Sequence, residues 1–359
     1  MIRVLITEDS PVVRGYLEYI LNSDPDIEVV GTARDGKEAV RMVSTIRPDV
    51  ITMDIHMPEM DGFEATRKIM ETHPVPIVIV SASWNPEEVD KTFRTMEAGA
   101  VAALEKPRGM GHPQSEASVK ELIQTVKLMS EVKVVRRSAR HRVIQRDSIA
   151  VQEREKSAIK PNPNIKIVIM GASTGGPLVL QTILSSLPRN FPIPIVIVQH
   201  IAMGFLSGLK DWLCKTTDFP VKIAEQGEYC MAGNAYLAPD GVQIALERNL
   251  RIVLSDNVAD NSLCPSISHL FRSVVHTFGK DVIGVLLTGM GRDGSKELKL
   301  LKEKGGITIA QDKDTSVIHG MPGEAIKMGG ATYILPSHQI AEKLKSLLIM
   351  KEERVTVTN

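Results

Sequence analysis

A chain of 359 residues with 43% hydrophobic and only 4% aromatic content has room for two α/β domains whose cores are built from aliphatic side chains. Its 43 basic residues balance 43 acidic ones, which excludes a global field suited to nucleic acid or to an anionic membrane surface. Three cysteines, Cys214, Cys230 and Cys264, stand far apart without a Cys-x-x-Cys pair, which argues against disulfides and structural zinc and fits free thiols in a reducing cytosol.

The amino-terminal run Met1-Ile-Arg-Val-Leu-Ile-Thr-Glu is too short for a signal peptide and turns acidic at once, and no later stretch is long enough to cross a bilayer. A cytoplasmic protein without membrane insertion is expected. Up to residue 129, short β-branched runs alternate with amphipathic segments. Residues 4–6, 50–53, 77–80 and 100–104 read as strands of a parallel sheet wrapped by helices. Such sheets bind ligands at the carboxyl ends of their strands. Those ends carry Glu8 and Asp9, then Asp54, Ser81, and Lys106-Pro107. Carboxylates that converge on one point repel one another unless a divalent cation lies between them, and Mg²⁺ is the natural partner of an all-oxygen ligand set.

This constellation resembles the response-regulator receiver domain, a flavodoxin-like fold with a five-stranded parallel sheet, over residues 1–129. The resemblance implies that Asp54 accepts a phosphoryl group from a chemotaxis histidine kinase. It also implies that Glu8, Asp9 and Asp54 hold Mg²⁺ together with the backbone carbonyl of His56. Lys106 would contact the phosphoryl oxygens, and Ser81 would shift to bond them. A carboxylate nucleophile, a compact cation and a short hydroxyl suit these roles. The chain departs from the receiver pattern at Ala103, where an aromatic switch residue is common.

Residues 130–164 lose this period and become highly charged, with Arg136-Arg137, Arg140-His-Arg142 and Glu153-Arg-Glu-Lys156 ahead of Lys160-Pro-Asn-Pro-Asn164. A polar run that ends in two prolines reads as an interdomain linker, its first part continuing the helical segment 121–129. Its basic cluster reads as a solvated face rather than a nucleic-acid site.

Residues 165–349 alternate again, with strand-like runs at 165–170, 193–198, 234–238, 243–247, 252–254, 282–287, 307–310 and 332–335. A doubly wound, mostly parallel α/β sheet is expected, with an antiparallel excursion near its middle. The first run breaks into Gly171-Ala-Ser-Thr-Gly-Gly176 and opens a helix. A serine at such a turn stands clear of the sheet, beside backbone N–H groups and the positive end of a helix, and suits a nucleophile. The same shape also cradles dinucleotide phosphates.

The second run separates the two readings. A dinucleotide fold ends that strand with an acid for the ribose hydroxyl, whereas this chain ends it with Gln199-His200, so a nicotinamide oxidoreductase is disfavoured. A receiver-linked transcription factor is disfavoured too, because a sheet-rich, charge-balanced second half lacks a basic helix-turn-helix. Thr288-Gly-Met-Gly-Arg-Asp293-Gly294 follows the run at 282–287. Singly, Ser173 reads equally well as a helix cap, His200 as a core histidine and Asp293-Gly294 as a plain turn. Together, at the ends of neighbouring strands, they read as a Ser-His-Asp triad. Their chain order differs from the Ser, acid, His order of lipase-like hydrolases.

With Gln199-His200, Ala238-Pro239-Asp240, Pro265-Ser266, Ala310-Gln311-Asp312 and Gly320-Met-Pro-Gly323, these motifs resemble the catalytic domain of the chemotaxis protein-glutamate methylesterase family. The resemblance implies that Ser173 is the nucleophile, His200 the general base and Asp293 its orienting acid. The Met290 N–H would contribute to the oxyanion hole, and Thr174 would help hold His200. No cofactor is needed for the ester hydrolysis. The implied substrates are methyl-accepting chemotaxis receptors, whose glutamate γ-methyl esters release methanol, with glutamine deamidation as a slower relative of the same chemistry. The resemblance further implies that the receiver covers the Ser173 cleft until Asp54 is phosphorylated. Two departures stand out: Ser268 where the family often has Asp, and His319 where an aromatic is frequent. His269, His276 and His319 read as structural, and residues 350–359 as a tail.

Overall fold

Side-chain caps fix where the helices of the first unit begin. Ser10 accepts from the Val13 N–H with Pro11 at the first helical position, and Asp35 and Asp61 accept from the N–H groups of Glu38 and Glu64. The chain runs β1 (Ile2–Thr7), α1 (Pro11–Asn22), β2 (Ile27–Ala33), α2 (Gly36–Ile46), β3 (Val50–Met53), α3 (Gly62–Thr72), β4 (Ile77–Ser81), α4 (Pro86–Ala98), β5 (Ala102–Glu105) and α5 (Ser115–Ser130). The computed structural model describes residues 1–81, 86–109, 115–132, 134, 164–256 and 263–348. These fold as two compact units, one built on β1–α5 and the other on elements that begin at residue 167. Most of the linker at 130–164 and the whole tail at 350–359 lie outside the described residues.

The first unit is a five-stranded parallel sheet in the order β2-β1-β3-β4-β5. The central strands β3 and β4 are buried along their whole length, as sheet strands covered by helices on both faces must be. Strand β2 was not among the runs read from the sequence. It is an edge strand with one exposed and four half-buried residues, so it lacks the continuous apolar signature of its neighbours.

The second unit continues with β6 (Ile167–Ala172), α6 (Gly176–Ser185), β7 (Ile195–Gln199), α7 (Leu206–Thr217), β8 (Val221–Ile223), β9 (Ala235–Leu237), β10 (Gln243–Leu246) and β11 (Ile252–Ser255). It closes with α8 (Ile267–Phe278), β12 (Val282–Leu286), α9 (Ser295–Glu303), β13 (Ile307–Gln311), α10 (Met321–Lys327), β14 (Tyr333–Leu335) and α11 (Ser337–Leu347). Seven strands form one sheet in the order β14-β13-β12-β6-β7-β9-β8, and every pairing in it is parallel. The expected antiparallel excursion is not part of this sheet: β10 and β11 pair antiparallel in a separate two-stranded sheet. That hairpin packs on α8, where Ile244, Leu246 and Ile252 join Phe271, Val274 and Val275 in the core. Burying each such side chain contributes about 1.5–3 kcal/mol, which is what fixes α8 against β6 and β12.

In both sheets the chain begins near the middle and winds to one side before returning to the other. The point of reversal lies between β1 and β3 in the first sheet and between β6 and β12 in the second. Loops that leave the carboxyl ends of such strand pairs diverge and open a crevice. No helix among the described residues is long and apolar enough to cross a membrane.

Candidate active site

Strand register brings the nucleophile candidate to the base candidate. Ala172 on β6 pairs with Gln199 on β7, so the next residues, Ser173 and His200, leave neighbouring strand ends side by side. The His200 N–H donates to the Ala172 carbonyl at 2.9 Å, and the Ser173 N–H donates to Thr288, at the start of the Gly-rich loop after β12, at 3.0 Å. Three loops that are distant in sequence are thus joined through their main chains.

The buried amide of Gln199 ties two of these loops together. Its Nε2 donates to the Ser173 carbonyl at 2.9 Å and to the His200 carbonyl at 2.8 Å. The other face of the amide lies so close to α6 that a Cβ on Gly176 would come within 2.1 Å of Gln199 Oε1. Glycine at the first residue of α6 is therefore a condition for this clamp.

Asp293 follows the same loop and turns back toward α8. Its Oδ2 lies 3.0 Å from His200 Nε2 and accepts from the Ile267 N–H at 2.7 Å. Its Oδ1 accepts from the Ser266 hydroxyl and from the Ser268 N–H, each at 3.0 Å. Ser266 is also the N-cap of α8, so the carboxylate sits on the amino end of that helix, where the macrodipole favours negative charge. Gly294, at φ +79°, makes the turn possible, since a Cβ there would meet Ile267 Cγ2 at 2.4 Å. Burial alone would push the Asp293 carboxyl up, but the adjacent His200 ring and the contacts from Ser268 hold it well below the usual carboxylate range.

The ring nitrogen facing Asp293 is Nε2, which leaves Nδ1 for proton transfer. The Ser173 hydroxyl is not hydrogen-bonded to the ring here, and in hydrolases such contacts tighten when substrate arrives. Among the described residues the Met290 N–H donates to no protein acceptor, and the residue is 43% exposed. The loop that carries it is braced from below. Thr288 donates from its N–H to Gln311 Oε1 at 2.8 Å and from its hydroxyl to the Thr174 carbonyl at 3.0 Å. Thr174 enters the network through that carbonyl, whereas Gln199 meets the main chain of His200 and Asp293 lies beside its ring. His319 bridges to Gly289 at the same loop, and burial lowers its pKa.

A second constellation lies at the reversal point of the first sheet. Carboxylate oxygens of Glu8, Asp9 and Asp54 lie within 4.8 Å of one another. Lys106 Nζ approaches Glu8 Oε2 at 2.7 Å and Asp54 Oδ2 at 2.9 Å. Burial pushes the Glu8 carboxyl up against the opposing pull of Lys106; burial alone would lower the Lys106 pKa, but Glu8 and Asp54 raise it, so the ammonium stays charged. Ser81 is buried with its hydroxyl unpartnered among the described residues, and its carbonyl accepts from the Lys106 N–H at 2.8 Å. His56 is exposed after β3. Ala103 lies on β5, so no ring occupies the position of the expected switch residue.

The chain is similar to known proteins along nearly its whole length. The CheB methylesterase family matches residues 168–344 and the response regulator receiver domain residues 4–114. A protein-glutamate methylesterase/protein-glutamine glutaminase of Nitrosospira multiformis is 54% identical over 98% of this chain and 99% of that protein. A protein of the same description from Syntrophus aciditrophicus is 52% identical over 97% and 98% of the two chains. The crystal structure of the Thermotoga maritima CheB methylesterase catalytic domain is 40% identical and covers 51% of this chain and 98% of its own, with a TM-score of 0.49.

Sequence reasoning missed Gln199 as a clamp, Ser266 and Ser268 as supports of Asp293, and the brace through Thr288 and Gln311. A signal existed for Ser266: a serine directly before an amphipathic run is a helix-start signature. The other contacts are set by tertiary approach and leave no local pattern.

Because the Asp293 carboxyl titrates lower in the native state than in the unfolded chain, the native state binds that proton more weakly. Its stabilisation is complete above about pH 5 and is lost as the pH falls from there through the native value. Urea midpoints of the second unit, followed by Trp212 fluorescence with Trp84 replaced by Phe, should be higher for wild type than for Asp293→Asn at about pH 5. The difference should shrink below about pH 4.

Proposed function

This chain belongs to the receiver-linked CheB methylesterase family, whose members are protein-glutamate methylesterase/protein-glutamine glutaminase hydrolases, and from that premise we propose that it removes γ-methyl esters from glutamates of methyl-accepting chemotaxis receptors by a Ser173-His200-Asp293 triad. The observation that carries this reading is the 3.0 Å approach of His200 to an Asp293 carboxylate anchored on α8, with Ser173 in register beside His200.

In this reading His200 Nδ1 takes the proton of Ser173 as Oγ attacks the ester carbonyl. Asp293 stabilises the imidazolium without itself accepting the proton. The tetrahedral oxyanion is met by the Met290 N–H, and one such donor is worth about 10²- to 10³-fold in rate. His200 returns the proton to the departing methoxide, methanol leaves, and a water activated by the same ring releases the glutamate carboxylate from the acyl-enzyme. A glutamine side chain differs only in expelling ammonia, so deamidation follows the same course more slowly. Every step is made by protein groups, with no cofactor in the ester hydrolysis.

The receiver pocket is the regulatory input. The clustered oxygens of Glu8, Asp9 and Asp54, with the His56 carbonyl, fit a hard divalent ion such as Mg²⁺, which would neutralise charge while a phosphoryl group is transferred. Asp54 is the acceptor, served by a chemotaxis histidine kinase. Lys106 meets the phosphoryl oxygens, and the unpartnered Ser81 hydroxyl bonds one of them. Phosphorylation raises esterase activity. Neither nucleic acid nor membrane insertion enters this reading.

In a methanol-release assay on methylated receptors, Ser173→Ala should lose activity on the order of 10⁶-fold; a rate near wild type would exclude Ser173 as the nucleophile. Treatment with acetyl phosphate and Mg²⁺ should raise the wild-type rate and leave Asp54→Asn unchanged. Equal wild-type rates with and without the phosphodonor would reject the regulatory half of the proposal.

A further inference from the structure

The carboxylate of Asp293 is held from α8, but the peptide that follows it is held by a different group. The Gly294 N–H donates to Ser268 Oγ at 2.8 Å. A hydroxyl has one proton, and Ser268 directs it away from the triad, to Glu297 Oε2 on α9 at 2.8 Å. Glu297 Oε1 in turn accepts from Arg272 Nη2 on α8 at 3.0 Å. The side chain of Glu297 is only 12% exposed, so its charge is shielded and matched by the arginine. Ser268 therefore holds the Asp293-Gly294 turn at two points: its N–H bonds the Asp293 carboxylate and its hydroxyl oxygen accepts from the Gly294 N–H.

We propose that Ser268 is a positioning residue for the esterase reaction and that the Glu297–Arg272 pair fixes the direction of its hydroxyl. Without the Glu297 acceptor the hydroxyl proton has no fixed direction, and the lone pair that receives Gly294 is no longer guaranteed. The Asp293-Gly294 turn then loosens while the carboxylate keeps its bonds to α8. The proposal rests on the triad reading above. It also gives a structural meaning to serine at a position where a carboxylate would face both Asp293 and Glu297.

The test is steady-state methanol release by the full chain, with folding checked by urea midpoint. Ser268→Ala should lower kcat by up to about 10²-fold at unchanged KM, the scale of a small misplacement of a catalytic group, and Ser268→Thr should recover most of it. Ser268→Asp should also lose kcat, because it sets a carboxylate against those of Asp293 and Glu297. Adding Glu297→Gln to it should recover part of the loss, because one of the two opposing carboxylates becomes an amide donor. A wild-type kcat in Ser268→Ala, a loss confined to KM, or no recovery by Glu297→Gln in the Ser268→Asp background would overturn the proposal. Ser173→Ala, run alongside, separates the two readings: an active Ser173→Ala sinks the triad, whereas an inactive one with a fully active Ser268→Ala sinks only the role of Ser268.

Discussion

A carboxylate buried on the amino end of a helix is the constraint on which the second unit is organised. Left alone in a protein interior, an ionised acid costs several kcal/mol. Asp293 avoids that cost because two main-chain N–H groups of α8 and one hydroxyl donate to it, and the His200 ring lies 3.0 Å away. It stays charged as a result, and a fixed negative charge is what allows a histidine to accept a proton without drifting from its place. The arrangement requires α8 to be seated before the site can form. The cost of misplacing Ile267 or Gly294 therefore appears at His200, on the far side of the carboxylate.

Both units use the same device of fold. Their sheets reverse direction between a strand that begins the unit and a strand reached later, and the loops beyond that reversal diverge. In the first unit the opening collects Glu8, Asp9 and Asp54 with Lys106 among them. In the second it collects Ser173 and the Gly-rich loop, with His200 entering from the adjoining strand. The first opening concentrates negative charge and tempers it with one ammonium, which suits an incoming cation and phosphoryl group. The second supplies a hydroxyl, a ring and an unengaged backbone N–H, which suits attack on a carbonyl.

Much of this was legible in the amino-acid order because buried parallel strands write themselves as apolar runs, and the residues that end those runs must face the crevice. Ser173, His200 and Asp54 could be found in that way. Edge strands resist such reading: β2 is half-exposed and β8 has three residues, so neither carries the full signature. The antiparallel hairpin was visible as two runs, but nothing local indicated that it would leave the main sheet and pack on α8. Gln199, Ser268 and Glu297 were still harder to place. Their importance comes from which backbone or carboxylate they meet after folding, across separations of 26 to 29 residues in the cases of Ser173 and Glu297.

The most direct test of the central claim is the protonation pattern of one imidazole. Nitrogen-15 NMR of the His200 ring in the full chain, assigned by its loss in His200→Gln, should find the neutral ring protonated on Nε2, the nitrogen that faces Asp293, and bare on Nδ1. That Nε2–H signal should vanish or broaden in Asp293→Ala. A proton resident on Nδ1, or a spectrum indifferent to Asp293, would mean that the buried carboxylate does not orient the base and that the account built on it is wrong.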